Sequence, residues 1–477
     1  MNTELSTAGV RGLVALLTAG DVSATEVSAH FQRQIKAQKQ LNAFVQIEDN
    51  PTVPANNGTL AGVPIAHKDI FCARDVASTC GSNILKNYNP PYDAAIVERA
   101  HAAGMVCLGR TNMDEFAMGS SGEHSVYGAT LNPWNETRTP GGSSSGSAAA
   151  VAARLTPVAT ATDTGGSIRQ PAAFCGVTGV KPTYGRISRW GMVAFASSFD
   201  QGGVIAVSAD DCALALNALC GFDARDSTSL DVPTEDFTHD IHTPLSGLKI
   251  GVPAEFFGDG LNAETGTRVQ EALQTMQKAG AELVDVRLPA VNFAIPAYYV
   301  LTCAEASSNL SRFDGVRYGL RADNANDLLS MYEKTRAAGF GEEVKRRILV
   351  GAYVLSYGYY DAYYRRAMKV RKLVADDFAR AFEQCDLIAG PTTPGPAFAL
   401  NEIADSDPVT MYKQDIYTVP INLAGLPAAS VPCGFAGALP VGLQLIAPPM
   451  EEARLLRVAH QYQQHTDFHQ RLPVTVA

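Results

Sequence analysis

Three positions in the chain carry groups that could act together on an amide: Lys68 in GVPIAHKD, Ser143 in PGGSSSGS and Ser167 in TDTGGSIR. An amide resists attack and its nitrogen must be protonated to leave, so a nucleophile needs a base that later returns the proton as an acid. Two glycine-cradled serines with a lysine upstream are a parts list for an amide hydrolase without histidine. Glycine beside serine lets a substrate approach the main chain, and the N–H groups of Thr164, Gly165 and Gly166 could turn toward one point as an oxyanion hole. Gly/Ser runs are ordinarily flexible linkers. These two are flanked differently, by the strong helix former SAAAVAARL and by VATATDT, which reads as a small-residue strand. Lysines are ordinarily solvated, but Lys68 lies between the apolar segments GVPIA and IF, which predicts burial and a depressed pKa.

The elements that must position these groups fit a chain of 477 residues that is 46% hydrophobic and 18% charged, a globular composition with room for a large core. A formal charge of -10 argues against broad binding of phosphate backbones by this chain alone, so any nucleic acid would be held by a partner. Nine scattered cysteines without a C-x-x-C pair, and nine histidines, give no metal-ligand pattern; the cysteines read as reduced, buried small hydrophobes of a cytosolic protein. The N-terminal MNTELSTAGVRGLVALLTAG lacks a basic n-region and a cleavage site, and no stretch reaches the ~18 apolar residues of a membrane span, so the chain is expected to be soluble and unprocessed.

Along the chain, residues 6–47 read as two amphipathic helices with a Gly-Asp break, then an apolar strand; Val27, Phe31 and Ile35 at helical spacing read as core. EDNPTVPANNGT is a polar loop, and GVPIAHKDIF a strand running into a polar turn that holds Lys68. VERAHAAGMVCLGRTN gives helix, glycine stop and buried strand; ADDCALALNALCGF, LKIGVP and ETGTRVQEALQTMQKAGAELVDVRLP continue the α/β alternation. Residues 293–382 are helix-rich and full of tyrosine, after which DLIAGPTTPGPA and AASVPCGFAGALPVGLQLIAP return to strands. The pattern predicts one large α/β domain with a helical insertion in its latter half.

GVPIAHKD with Lys68, PGGSSSGSAAA with Ser143, and TDTGGSIRQPAAFCGVTGVKPTYGRIS with Ser167 resemble the amidase signature family, whose Ser-cisSer-Lys triad they match residue by residue. The resemblance implies a large central mixed β-sheet covered by helices on both faces. It implies a single domain over 1–477, with an N-terminal helical segment at 1–45, a catalytic core at 60–205 and the helix-rich insertion at 293–382. It also implies that Ser167 attacks, Ser143 relays and Lys68 accepts the proton. Ser143 is chosen over Ser144 and Ser145 because the family places the relay at the first serine of the run, 24 residues before the nucleophile.

TNMDEFAMGSSGEHSVYG, DGVRYG, FGEEVKRRILVGAYVLSYGYYDAYYRRA and VPINLAGLPAASVPCG extend the resemblance, over nearly the whole chain, to the A subunits of bacterial glutamyl-tRNA(Gln)/aspartyl-tRNA(Asn) amidotransferases. In those ligase complexes the A subunit hydrolyses glutamine, and ammonia passes to a B subunit that activates tRNA-bound glutamate or aspartate with ATP and Mg. A small C subunit completes a cytoplasmic heterotrimer of protein biosynthesis. The resemblance therefore implies no cofactor or metal on this chain, B and C partners, glutamine as substrate, and aminoacyl-tRNA held mainly by the partner. It assigns glutamine recognition to Tyr298, Arg347 and Asp415, with Tyr299 and Arg346 as open alternatives to their neighbours. A guanidinium and a carboxylate suit the α-carboxylate and α-amino group of glutamine. Tyr359, Tyr360, Tyr363 and Tyr364 read as helix packing and subunit contacts, and a heteromeric role calls for exposed apolar surface.

Three departures from the family pattern stand out. Ser145 replaces a usual glycine beside the relay loop, DQGGVIA replaces D-Q-x-G-P, and the segment before GTLAGVPIA is shortened. A free-standing amidase for aryl or aliphatic amides, and a scaffold that has lost activity, are the alternative readings. The intact triad argues against the second.

Overall fold

Short apolar runs separated by amphipathic helices close here into one mixed sheet. The structure, a computed structural model, describes residues 2–55, 58–402 and 408–473. Asn56 and Asn57 of the polar loop lie outside the described residues, as do Met1 and the last four residues. The strands are β1 (Phe44–Ile47), β2 (Pro64–Lys68), β3 (Val106–Thr111), β4 (Val158–Asp163), β5 (Thr178–Lys181), β6 (Gln201–Ala206), β7 (Lys249–Pro253), β8 (Glu282–Val286), β9 (Leu387–Pro391), β10 (Ala428–Ala436) and β11 (Leu439–Ile446). They form an 11-stranded sheet in the order β1-β3-β2-β4-β6-β5-β10-β11-β9-β7-β8. β2 runs parallel to β3 and β4, and β7 parallel to β8 and β9; the other pairings are antiparallel.

The N-terminal break is a helix end and a helix start in succession. Gly20, with φ 76°, stops the helix Gly9–Ala19, and Ser23 with Glu26 forms a capping box that starts Ala24–Ala37. Val27, Phe31 and Ile35 of that second helix are in the core.

Two parallel neighbours, β2 and β4, with Ala66 opposite Ala159, carry the chemistry at their carboxyl ends, the usual location of sites in such sheets. Both strands are buried throughout, and β4 is built largely from small residues, two alanines and two threonines, with Ala66 beside it on β2. The small side chains let the helix Ser145–Ala152 lie on the sheet, where Ala148, Val151 and Ala152 pack with Ala66, Ala159 and Ala161. The threonines satisfy buried donors: Thr160 Oγ1 accepts from the Lys68 amide at 3.1 Å.

Lys68 is not in a polar turn. It is the last residue of β2, opposite Thr111 of β3, and the ladder runs on through the Asp69 amide, which donates to the Thr111 carbonyl at 3.2 Å. DQGGVIA becomes β6, where Val204 stands between Thr160 and Val180, a central position suited to a residue that keeps its N–H.

Within residues 293–382 lie the helices Ala294–Asn309, Leu328–Gly339, Glu342–Val354 and Arg366–Phe382, with a π-helical turn at Asp361–Arg365. Tyr298 is in the core, whereas further along Tyr360 stacks on half-buried Tyr364 at 5.2 Å and Tyr353 lies beside Tyr359 at 4.5 Å. Leu349, Val350, Tyr353, Tyr357, Tyr359 and Tyr360 are exposed. All nine cysteines are free thiols, buried except for half-buried Cys107. No helix among the described residues is long and apolar enough to cross a membrane.

Candidate active site

Lys68 reaches from the end of β2 into a cluster of hydroxyls. Its Nζ lies 2.8 Å from Ser143 Oγ, 2.9 Å from Ser144 Oγ and 2.7 Å from Thr162 Oγ1. The side chain is fully buried. Burial drives its pKa down from 10.5 to about 7, although the carboxylates of Asp114, Asp163 and Asp200 pull the other way. A neutral amine offers two N–H donors and one lone pair, so among three hydroxyl neighbours one O–H must donate to the nitrogen.

Distance alone does not separate Ser143 from Ser144, but hydrogen bonding does. The Ser144 hydroxyl donates to the Thr162 carbonyl at 3.2 Å, which commits its proton. The Ser143 hydroxyl makes no such bond to a carbonyl among the described residues, and the peptide bond before it, Gly142–Ser143, is cis. Ser145 faces away, its hydroxyl 3.2 Å from Thr130 Oγ1, so the departure from glycine leaves the Lys68 cluster untouched.

Ser167 lies in the turn between β4 and the helix Arg169–Cys175 and is 8% exposed, unlike fully buried Ser143 and Lys68. Its carbonyl accepts from the Ser144 amide at 3.3 Å, which ties the two serine loops together. The turn is held from below by Arg169, whose Nε and Nη2 both bond the Asp163 carboxylate at 2.9 Å. The same guanidinium bonds Gln444 Oε1 at 2.7 Å and Asn422 Oδ1 at 2.5 Å. Burial alone would raise the Asp163 pKa, but Arg169, Lys181 and Asn422 outweigh it and hold it at about 2. The amides of Gly165 and Gly166 donate to no acceptor among the described residues, while the Thr164 side chain donates to Asp200 Oδ1 at 2.7 Å.

The three residues assigned to substrate recognition also gather here. Tyr298 packs against the serine turn, since a Cβ on Gly165 would sit 2.5 Å from its hydroxyl oxygen. Arg347 is buried on Glu342–Val354, with its Nε donating to Glu343 Oε1 at 2.7 Å. Arg346 points outward, its side chain 47% exposed. Asp415 is buried and accepts from Ser120 Oγ at 2.5 Å through Oδ2, while Oδ1 has no partner among the described residues. Burial raises its pKa to about 7 against the pull of Ser120 and Arg347. Tyr299 is half-buried beside Tyr298, stacked on Tyr412 with centroids 3.8 Å apart. No cluster of three or more His, Cys, Asp or Glu side chains among the described residues is arranged to hold a metal ion.

The sequence reading missed Thr162, Asp163, Arg169, Ser120, Glu343 and Tyr412. Asp163 and Arg169 flank the TGGS turn with opposite charges inside an otherwise small or apolar stretch, a signal for a buried pair. Ser120 and Tyr412 reach the site across 295 and 69 residues of sequence, through Asp415 and Glu343, and leave no local signal.

A buried lysine among hydroxyls, beside a glycine-flanked serine, is a site of the amide-hydrolysing class. The model of the amidase family matches residues 26–456, and the chain belongs to that family. It is 58% identical to the A subunit of glutamyl-tRNA(Gln) amidotransferase from Thioalkalivibrio sulfidiphilus, over 97% of this chain and 98% of the relative. It is also 58% identical to the protein of the same name from Dechloromonas aromatica, over 98% of this chain and 99% of the relative. The crystal structure of the Thermotoga maritima glutamyl-tRNA(Gln) amidotransferase A subunit matches with a TM-score of 0.81 at 40% identity, covering 94% of this chain and 93% of that one. Peptide amidase from Stenotrophomonas maltophilia matches with a TM-score of 0.82 at 30% identity, covering 98% and 99%.

Proposed function

We propose that this chain is the glutamine-hydrolysing component of a tRNA-dependent amidotransferase, the counterpart of the A subunits it resembles. Ser167 Oγ attacks the side-chain amide carbon of glutamine, and its proton passes through Ser143 Oγ to Lys68 Nζ. The tetrahedral oxyanion is met by the main-chain N–H groups of Thr164, Gly165 and Gly166. The lysinium returns the proton through Ser143 to the nitrogen, ammonia leaves, and water hydrolyses the γ-glutamyl ester on Ser167. Arg347 binds the α-carboxylate, Asp415 the α-ammonium and Tyr298 the body of the substrate.

The observation that carries this reading is the pairing of a buried cation, Arg347, with a buried carboxylate, Asp415, beside the serine turn. A simple aryl or aliphatic amide needs neither charge, and the buried Asp415 Oδ1, without a partner among the described residues, is an acceptor that a ligand's ammonium would answer. The relatives named above support the same reading over the whole chain. The ammonia then serves a B subunit that activates Glu-tRNA(Gln), Asp-tRNA(Asn) or both with ATP and Mg, in a cytoplasmic heterotrimer with a C subunit. The test is ammonia release from glutamine and from an aryl amide, by wild type and Ser167→Ala, with and without the partners. Preference for glutamine that partners stimulate supports the proposal; a lone chain that prefers the aryl amide is a free-standing amidase.

A further inference from the structure

Arg347 is held by three aromatic rings and one carboxylate. Its Cζ lies 5.5 Å from the ring centroid of Phe195, 5.3 Å from that of Tyr299 and 5.6 Å from that of Tyr412. Such contacts stabilise a buried guanidinium but do not decide which of its edges is offered to a ligand. Glu343 decides it. Its Oε1 takes the Nε proton of Arg347 at 2.7 Å and that of the Tyr412 hydroxyl at 3.2 Å, while its Oε2 is bound by Nη1 of Arg346. Nη1 and Nη2 of Arg347 donate to no acceptor among the described residues.

A guanidinium meets a carboxylate side-on, through Nε and one Nη, or end-on, through both Nη groups. With Nε committed, the end-on edge is the one left. The charges agree: two guanidiniums against one carboxylate leave the Arg346, Arg347 and Glu343 cluster with one net positive charge. Arg346 answers Glu343 from the solvent side, so the charge of Arg347 is not cancelled by its own support.

We propose that Glu343 is a positioning residue for substrate specificity: it fixes Arg347 so that both Nη groups face an α-carboxylate. This rests on the glutamine reading of the site. The experiment compares kcat/KM, in the full-length chain, for glutamine and for 4-aminobutanamide, which is glutamine without its α-carboxylate. Glu343→Ala should lower the preference for glutamine by about tenfold or more, chiefly through KM, and Glu343→Gln, which keeps an oxygen for Nε, should restore most of it. Glu343→Asp, with the carboxylate drawn back by one methylene, gives the same split if the alanine variant does not fold. An equal fall on both amides, or an unchanged preference, overturns the inference. If instead the wild type shows no preference, or Arg347→Ala leaves it intact, the glutamine reading itself fails.

Discussion

The pH dependence of glutamine cleavage follows from one number, the depressed pKa of Lys68. An ordinary lysine at 10.5 would be neutral in about one molecule in three thousand at pH 7, whereas one brought to about 7 by burial is neutral in about half, a gain of roughly a thousandfold in active base. The sign is set by the base form: kcat should rise with unit slope below pH 7, gain about tenfold between pH 6 and pH 8, and level off above. Asp415, raised by burial to about 7, must be ionised to hold the α-ammonium, so kcat/KM also rises through the same range. The two are separable. Ammonia release at saturating glutamine reports Lys68 in the complex, and kcat/KM for an aliphatic amide without an α-amine lacks the Asp415 component. A kcat that still rises tenfold per pH unit above about pH 8.5 would mean an exposed lysine, and one that is flat from pH 6 to 8 would remove Lys68 as the base.

Asp163→Asn leaves Arg169 buried without its carboxylate and should destabilise the chain by about 3–5 kcal/mol in denaturant unfolding; a loss below about 1 kcal/mol would mean the pair does not hold the serine turn. Because Asp163 is depressed to about 2, the stability it contributes is complete above the ordinary carboxyl value of 3.8 and is lost as pH falls through about 2, a dependence that the asparagine variant should lack. Gly142→Ala puts a Cβ 1.9 Å from Asp114 Oδ2, a carboxylate already fixed by the amides of Gly122 and His124. It should cost about 1–3 kcal/mol and lower kcat, since Ser143 follows directly; wild-type melting and turnover would show that the loop shifts freely.

Much of the site was legible because its chemistry is local in sequence: each of Lys68, Ser143 and Ser167 sits in a short segment whose neighbours betray a special backbone. What escaped was long-range or polar. The bonds of Arg169 to Asn422 and Gln444 join residues more than 250 positions apart. The support of Arg347 by Glu343 is an i,i+4 pair on one helix face, but the ring of Tyr412 beside it comes from the short helix Pro408–Tyr412, 69 residues after Glu343. The same holds for the fold. The periodic helices and apolar strands stood out, whereas β5 and the glycine-rich β6 have too little hydrophobic pattern to read as central strands. Lys68, which the sequence puts in a polar turn, is the last residue of β2, and its amine is met by hydroxyls of the serine loop and of β4.

The most direct test of the account is to locate the acyl group. Full-length protein turning over glutamine is quenched in acid, digested, and its peptides are read by mass spectrometry. The account places a γ-glutamyl ester on Ser167, absent in Ser167→Ala; a glutamyl group on Ser143, on Ser144 or on a cysteine such as Cys80 would contradict it.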